Sequence, residues 1–173
     1  MSEVYLYSDG GCRGNPGIGG WGYILFFNGI YMFEAGFAAE TTNNQMELTA
    51  IISGLKQLSR PCDIVLVSDS QYCINGMSKW LTGWKSKNFK NSKKEPVKNE
   101  ELWRELDVLM QQHSFEYQWV KGHSDHPQNE LCDLMANRVM DMSLNGMTNP
   151  HIKHRFKGQL SEVKQMIDKL SLG

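Results

Sequence analysis

The sequence predicts an α/β fold: a five-stranded mixed sheet, three antiparallel strands followed by parallel ones, flanked by helices. Three observations lead there. Residues 3–38 hold three apolar, β-branched and aromatic runs, the last two joined by Asn28-Gly29, a strong hairpin signal. IVLVS, residues 64–68, is a short unbroken apolar run, as expected of a strand covered by helices on both faces. From there on, helical and strand periodicities alternate.

Residues 3–8 alternate with period two, with Val4 and Leu6 on one face. GWGYILFF and IYMFEAGFA complete the meander. TTNN offers N-cap residues to a helix over 44–59, in which Leu48, Ile51, Ile52, Leu55 and Leu58 recur at helical spacing. After the IVLVS strand, residues 71–81 read as a helix, and NEELWRELDVLMQQ reads as an amphipathic one. FEYQWV is the fifth strand, KGHSDHPQN a polar loop, and ELCDLMANRVMDM a helix with an inward apolar face. Beyond Gly146, HIKHRFK is basic and has no assigned element, while Leu160, Val163, Ile167 and Leu170 sketch a last short helix. The expected organisation is one domain over 1–142, with a lysine-rich segment at 79–98, and an extension of unassigned role over 143–173.

A chain of 173 residues can bury roughly 70% of the surface it exposes when unfolded, so its core needs no disulfides. Cys12, Cys62, Cys73 and Cys132 lie far apart, with no C-x-x-C pair, which suits a reducing compartment. No signal peptide is visible, and no apolar run nears the ~20 residues that cross a bilayer; a cytoplasmic protein without membrane association is expected. The formal net charge of −1 hides an asymmetry: seven of the eighteen Lys and Arg residues lie between Lys79 and Lys98. Trp80, Trp84 and Phe89 stand among them, which points to a polyanionic partner.

Seven of the fifteen residues in SDGGCRGNPGIGGWG, residues 8–22, are glycine. Gly17, Gly19 and Gly22 spell a dinucleotide-binding fingerprint, but a strand and a hairpin follow instead of the helix N-terminus that must receive the pyrophosphate. A nucleotide cofactor is excluded on context. The glycines imply close approach around Asp9, at the end of the first strand. Asp69 follows directly on the buried strand, Glu47 lies in the first turns of a helix beside its apolar stripe, and Asp133 lies within the last strong helix. Converging carboxylates repel one another, and divalent cations relieve the repulsion. A set of oxygen ligands favours Mg²⁺ or Mn²⁺ over zinc.

YSDGGCRGNPGIGGWG, TTNNQMELTA, VSDSQYCINGMSKW and VKGHSDHPQNELCDLMA resemble, in order, the motifs of type 1 ribonuclease H. WLTGWKSKNFKNSKKEPVKNEELW is similar to the basic protrusion of its bacterial forms, and the resemblance runs from about residue 3 to 140. It implies a ribonuclease H-like fold and a monomeric endonuclease that cuts the RNA strand of RNA–DNA hybrids with two Mg²⁺ ions, leaving 5′-phosphate and 3′-hydroxyl ends. It makes Asp9, Glu47, Asp69 and Asp133 the catalytic, metal-binding acids, and His123 the mobile histidine that assists proton movement or product departure. Gly10, Cys12, Asn15, Asn43, Asn44 and Gln71 correspond to contacts in the minor groove of the hybrid. Trp80, Trp84, Lys85 and Lys87 correspond to holders of the DNA strand, and Thr42 with Asn99 to a DNA-phosphate pocket. The full protrusion and the Met ahead of the first strand favour a free-standing enzyme over a polymerase-linked domain. The tail carries no expectation from the family.

Overall fold

A computed structural model describes residues 2–122 and 126–170. Strands β1 (Ser2–Arg13), β2 (Gly17–Phe27) and β3 (Ile30–Thr41) form the antiparallel meander, and α1 (Asn43–Leu55) and β4 (Cys62–Ser68) follow. Next come α2 (Gln71–Asn75), a π-helical turn (Gly76–Trp80), α3 (Leu81–Ser86), α4 (Glu100–Met110) and β5 (Ser114–Trp119). The chain continues through α5 (Pro127–Leu144), β6 (His151–Lys157) and α6 (Leu160–Asp168).

The sheet runs β5-β4-β1-β2-β3-β6, with β4 parallel to both β1 and β5. Asn28 and Gly29 both take positive φ, the backbone that a two-residue hairpin between right-twisted strands requires. The sixth strand was not legible. Of HIKHRFK only Ile152 and Phe156 join an apolar core, so the segment reads as solvated, and positive charge is how an edge strand resists further pairing. The expected single helix over 71–81 is broken by the π-helical turn, where the Trp103 ring lies so close to Gly76 that a Cβ there would sit 2.0 Å from it.

Each face of the sheet has its own core. Leu48, Ile51 and Leu55 of α1 pack with Leu6, Leu66 and the fully buried Trp103 on one side. On the other, Met135 and Val139 of α5 and Val163 and Ile167 of α6 pack with Val67, Phe33 and Ile152. The extension thus adds a strand beside β3 and a helix to the core under α5. Four free cysteines fit the expectation of a core without disulfides, and among the described residues no helix is long and apolar enough to cross a membrane.

Helix α5 reaches the sheet through glycines of β2. A Cβ on Gly20 would lie 2.3 Å from the Ala136 carbonyl oxygen, and one on Gly22 would lie 2.9 Å from that of Cys132. Gly20→Ala must therefore displace α5. A loss of about 1–3 kcal/mol from overpacking is expected, read as a lower midpoint in thermal unfolding, and an unchanged midpoint would contradict this seat for α5.

Candidate active site

The register of β1 and β4 assembles the site. Their parallel pairing ends at Ser8↔Ser68, both fully buried, so the next residues, Asp9 and Asp69, emerge side by side. Asp9 does not end its strand as expected, because β1 continues against β2 as far as Arg13↔Ile18. It marks the end of the parallel pairing. The Asn129 amide of α5 bridges the two strands there, donating 3.2 Å bonds to the carbonyls of Ser8 and Val67.

Glu47 arrives from α1, anchored by the apolar residues on either side of it. A Cβ on Gly10 would lie 2.4 Å from the Met46 carbonyl carbon and 2.7 Å from the Glu47 nitrogen, so only glycine lets α1 come this close. The Gly10 N–H donates to Asp9 Oδ1 at 2.9 Å and to Glu47 Oε1 at 3.0 Å. Oxygens of Asp9, Glu47 and Asp69 lie within 4.8 Å of one another. Asp133 joins these three in lining one cavity of about 290 Å³, with its carboxylate steadied by a 3.2 Å bond from Asn137 Nδ2. Arg13 in turn donates to Asn137 Oδ1 at 3.2 Å and pairs with Asp141 at 2.8 Å. The sequence reading missed Asn129, Arg13 and Asn137. Only Asn137, one helical turn after Asp133, left a signal in the spacing.

The substrate residues fall into two groups beside this cavity. Cys12 N donates to Asn43 Oδ1 at 2.9 Å and Asn43 N to Asn15 Oδ1 at 3.2 Å, which knits Cys12, Asn15 and Asn43 into one polar rim. Asn44 is the second residue of α1, and the exposed Gln71 is the first of α2. Thr42 caps α1 in a capping box with Gln45, whose Nε2 donates to Asn99 Oδ1 at 3.4 Å. Thr42 and Asn99 are therefore neighbours. Rings step outward from Trp103 through Trp84, 5.1 Å away, to Trp80, a further 5.8 Å on and 39% exposed. Lys87 is exposed, but Lys85 pairs with Asp107 at 3.2 Å and so is partly engaged within the protein. Phe89 departs from the expected aromatic face, being buried beneath Arg104. His123 lies outside the described residues.

Burial, followed by the charges of Asp69 and Asp133, pushes Asp9 up to about 7, against hydrogen bonds from Glu47 and Gly10 that pull it down. Burial and the Asp9 charge hold Glu47 well above the usual carboxylate range. The pair retains a proton that an unfolded chain would release. Between the ordinary 3.8 and about 7, the folded state binds more protons than the unfolded one, so the unfolding free energy falls as pH rises through that window. In EDTA the midpoint of thermal unfolding should be higher near pH 5 than near pH 8, and Asp9→Asn should flatten the difference. Metal-free protein more stable near pH 8 would contradict this. Gly10→Ala should separate α1 from β1, costing about 1–3 kcal/mol in thermal unfolding and weakening Mn²⁺ binding in calorimetric titration.

The RNase H family model matches residues 1–141. Ribonuclease H of Hydrogenovibrio crunogenus (strain DSM 25203 / XCL-2) is 54% identical over 141 residues, which cover 82% of this chain and 97% of that protein. Ribonuclease H of Campylobacter curvus (strain 525.92) is 54% identical over 136 residues, which cover 79% and 91%. Among solved structures, LC9-RNase H1, a type 1 RNase H with the type 2 active-site motif, superposes with a TM-score of 0.76 at 25% identity over 94% of this chain and 81% of that one. The strands and helices that gather the acids thus lie inside the matched region, and this chain belongs to the ribonuclease H family of hydrolytic nucleases, in its bacterial type 1 form.

Proposed function

We propose that the chain is a sequence-independent endoribonuclease that hydrolyses the RNA strand of RNA–DNA hybrids, with Asp9, Glu47, Asp69 and Asp133 as its metal-holding acids. One observation carries this reading: three carboxylates from β1, α1 and the end of β4 present oxygens within 4.8 Å of one another. The donor set fits hard divalent ions. It is all carboxylate, and Glu47 Oε2 is buried without a hydrogen-bond partner, as a ligand atom awaiting a cation would be. When bound there, two Mg²⁺ ions, or Mn²⁺ in their place, would supply activation of water and stabilisation of the leaving 3′-oxygen, and such hydrolysis would leave 5′-phosphate and 3′-hydroxyl ends.

The chain's own residues do the rest. Gly10 N–H holds Asp9 and Glu47 in one orientation, and Asn137 does the same for Asp133. His123 assists proton movement or product departure, a role its family position assigns. The Cys12–Asn15–Asn43 rim, with Gly10, Asn44 and Gln71, meets the minor groove, where 2′-hydroxyls distinguish RNA from DNA without reading bases. Trp80, Trp84 and Lys87 receive the DNA strand, with Lys85 joining once it leaves Asp107, and Thr42 with Asn99 takes a phosphate.

Labelled RNA–DNA, RNA–RNA and DNA–DNA duplexes, each with Mg²⁺ and with EDTA, test the class. Only RNA in the hybrid should be cut, and only with metal. Asp69→Asn should bind hybrid normally in Ca²⁺ yet cut on the order of 10³-fold more slowly in Mg²⁺, about 4 kcal/mol of barrier. A variant that still cuts at the wild-type rate would show the site to be misassigned.

A further inference from the structure

The strand added by the extension gives the sheet a charged stripe. In the β3–β6 register His151, Lys153, Arg155 and Lys157 stand opposite Gly36, Glu34, Met32 and Ile30, on the face that carries α1. Helix α1 packs chiefly on β1 and β2, and Lys153, Arg155 and Lys157 are exposed. Alternate residues of a strand are ~6.7 Å apart, close to the repeat of phosphates along a nucleic-acid backbone. Lys56, Lys85 and Lys164 are held by Glu105, Asp107 and Asp168, whereas Lys153, Arg155 and Lys157 have no carboxylate partner among the described residues. The single acid of the paired segments, Glu34, is buried and already engaged by the Tyr23 hydroxyl at 2.8 Å and His151 at 2.6 Å. Arg155, between Lys153 and Lys157 in the row, shares a cleft of about 340 Å³ with Arg60, and no acidic residue lines it.

We propose that Lys153, Arg155 and Lys157, with Arg60, form a second nucleic-acid surface that grips phosphate backbone outside the catalytic cleft. Protection of a sheet edge explains scattered lysines but not a one-faced row of uncompensated cations beside a two-arginine cleft. An anionic bilayer is a poorer fit, because the exposed large apolar side chains among the described residues, Trp80, Val108, Trp119 and Leu144, belong to other elements.

The proposal rests on the hybrid-cleavage reading only for its choice of ligand. The full chain is compared with its K153Q/R155Q/K157Q variant and with a charge-keeping K153R/K157R variant. Binding is followed by anisotropy in Ca²⁺ across a salt series, with a short hybrid that fills only the cleft and a long one of about 30 base pairs. For the long hybrid the glutamine variant should bind about tenfold more weakly at low salt, with a log–log salt slope shallower by about 2.7, the value for three phosphates. Its binding and cutting of the short hybrid, and its thermal midpoint, should match wild type, and the arginine variant should behave as wild type throughout. Equal slopes for wild type and glutamine variant on the long hybrid overturn the proposal. So does an unchanged slope accompanied by self-association, which assigns the charges to edge protection, or by loss of binding to phosphatidylserine vesicles, which assigns them to a membrane. Failure of wild type to cut any hybrid would sink the activity and leave the slope comparison readable.

Discussion

Carboxylates drawn this close repel one another, and the rest of the molecule is arranged to hold them there. The apolar interior supplies the force. Large side chains such as Leu6, Leu48, Leu66 and Trp103 are essentially free of solvent, and each contributes about 1.5–3 kcal/mol by leaving water. Against tens of kcal/mol from burial, the cost of desolvating and crowding Asp9 and Glu47 is the smaller effect, and a retained proton relieves part of it. Burial wins, and the acids ride on the elements it fixes. Asp9 and Asp69 emerge together because β1 and β4 pair in parallel up to Ser8 and Ser68, while Glu47 is committed by its place between Met46 and Leu48. A cation bound among them removes the remaining penalty and stabilises the fold by mass action.

What the sequence revealed follows from how local each signal was. Asn28-Gly29 and the IVLVS run each encode their structure within a few residues and formed as read, and the apolar stripe of α1 did so as far as Leu55, where the helix ends short of the expected Leu58. Glu47, Asp69 and Asp133 could be singled out by their places beside apolar residues. Three of the things that were not legible share a cause. The reach of β1 past Asp9 depends on β2, the strand character of HIKHRFK depends on the free edge of β3, and the engagement of Lys85 depends on Asp107 of another helix. In each case the deciding partner is distant along the chain.

The glycine-rich segment shows the same limit from the other side. Its composition announces close approach but does not say to what. Gly10 admits the backbone of α1, and Gly20 and Gly22 admit that of α5, so these glycines seat the two helices that carry Glu47 and Asp133. A reading in which they only make room for metal and RNA misses that first task. Close seating of both helices is what shrinks the site until its acids share a cavity of about 290 Å³. A single added methyl group far from any ligand can therefore change the chemistry of the site.

The charge distribution completes the logic of the proposed function. A site crowded with carboxylates repels the phosphates it must cleave, so a nuclease of this design needs cations at the acids and basic groups elsewhere to hold the polyanion. The formal net charge of −1 reflects that division, with seven lysines gathered from Lys79 to Lys98 and five His, Lys or Arg residues in His151–Lys157. The two kinds of contact answer differently to their surroundings. Exposed lysine–phosphate contacts weaken steeply with salt because they release counterions. The proposed metal-holding acids would keep divalent ions by short-range contacts that salt screens much less. Raising ionic strength should therefore loosen the duplex well before it empties the metal site, so that affinity for substrate is set at the periphery and competence for chemistry at the centre.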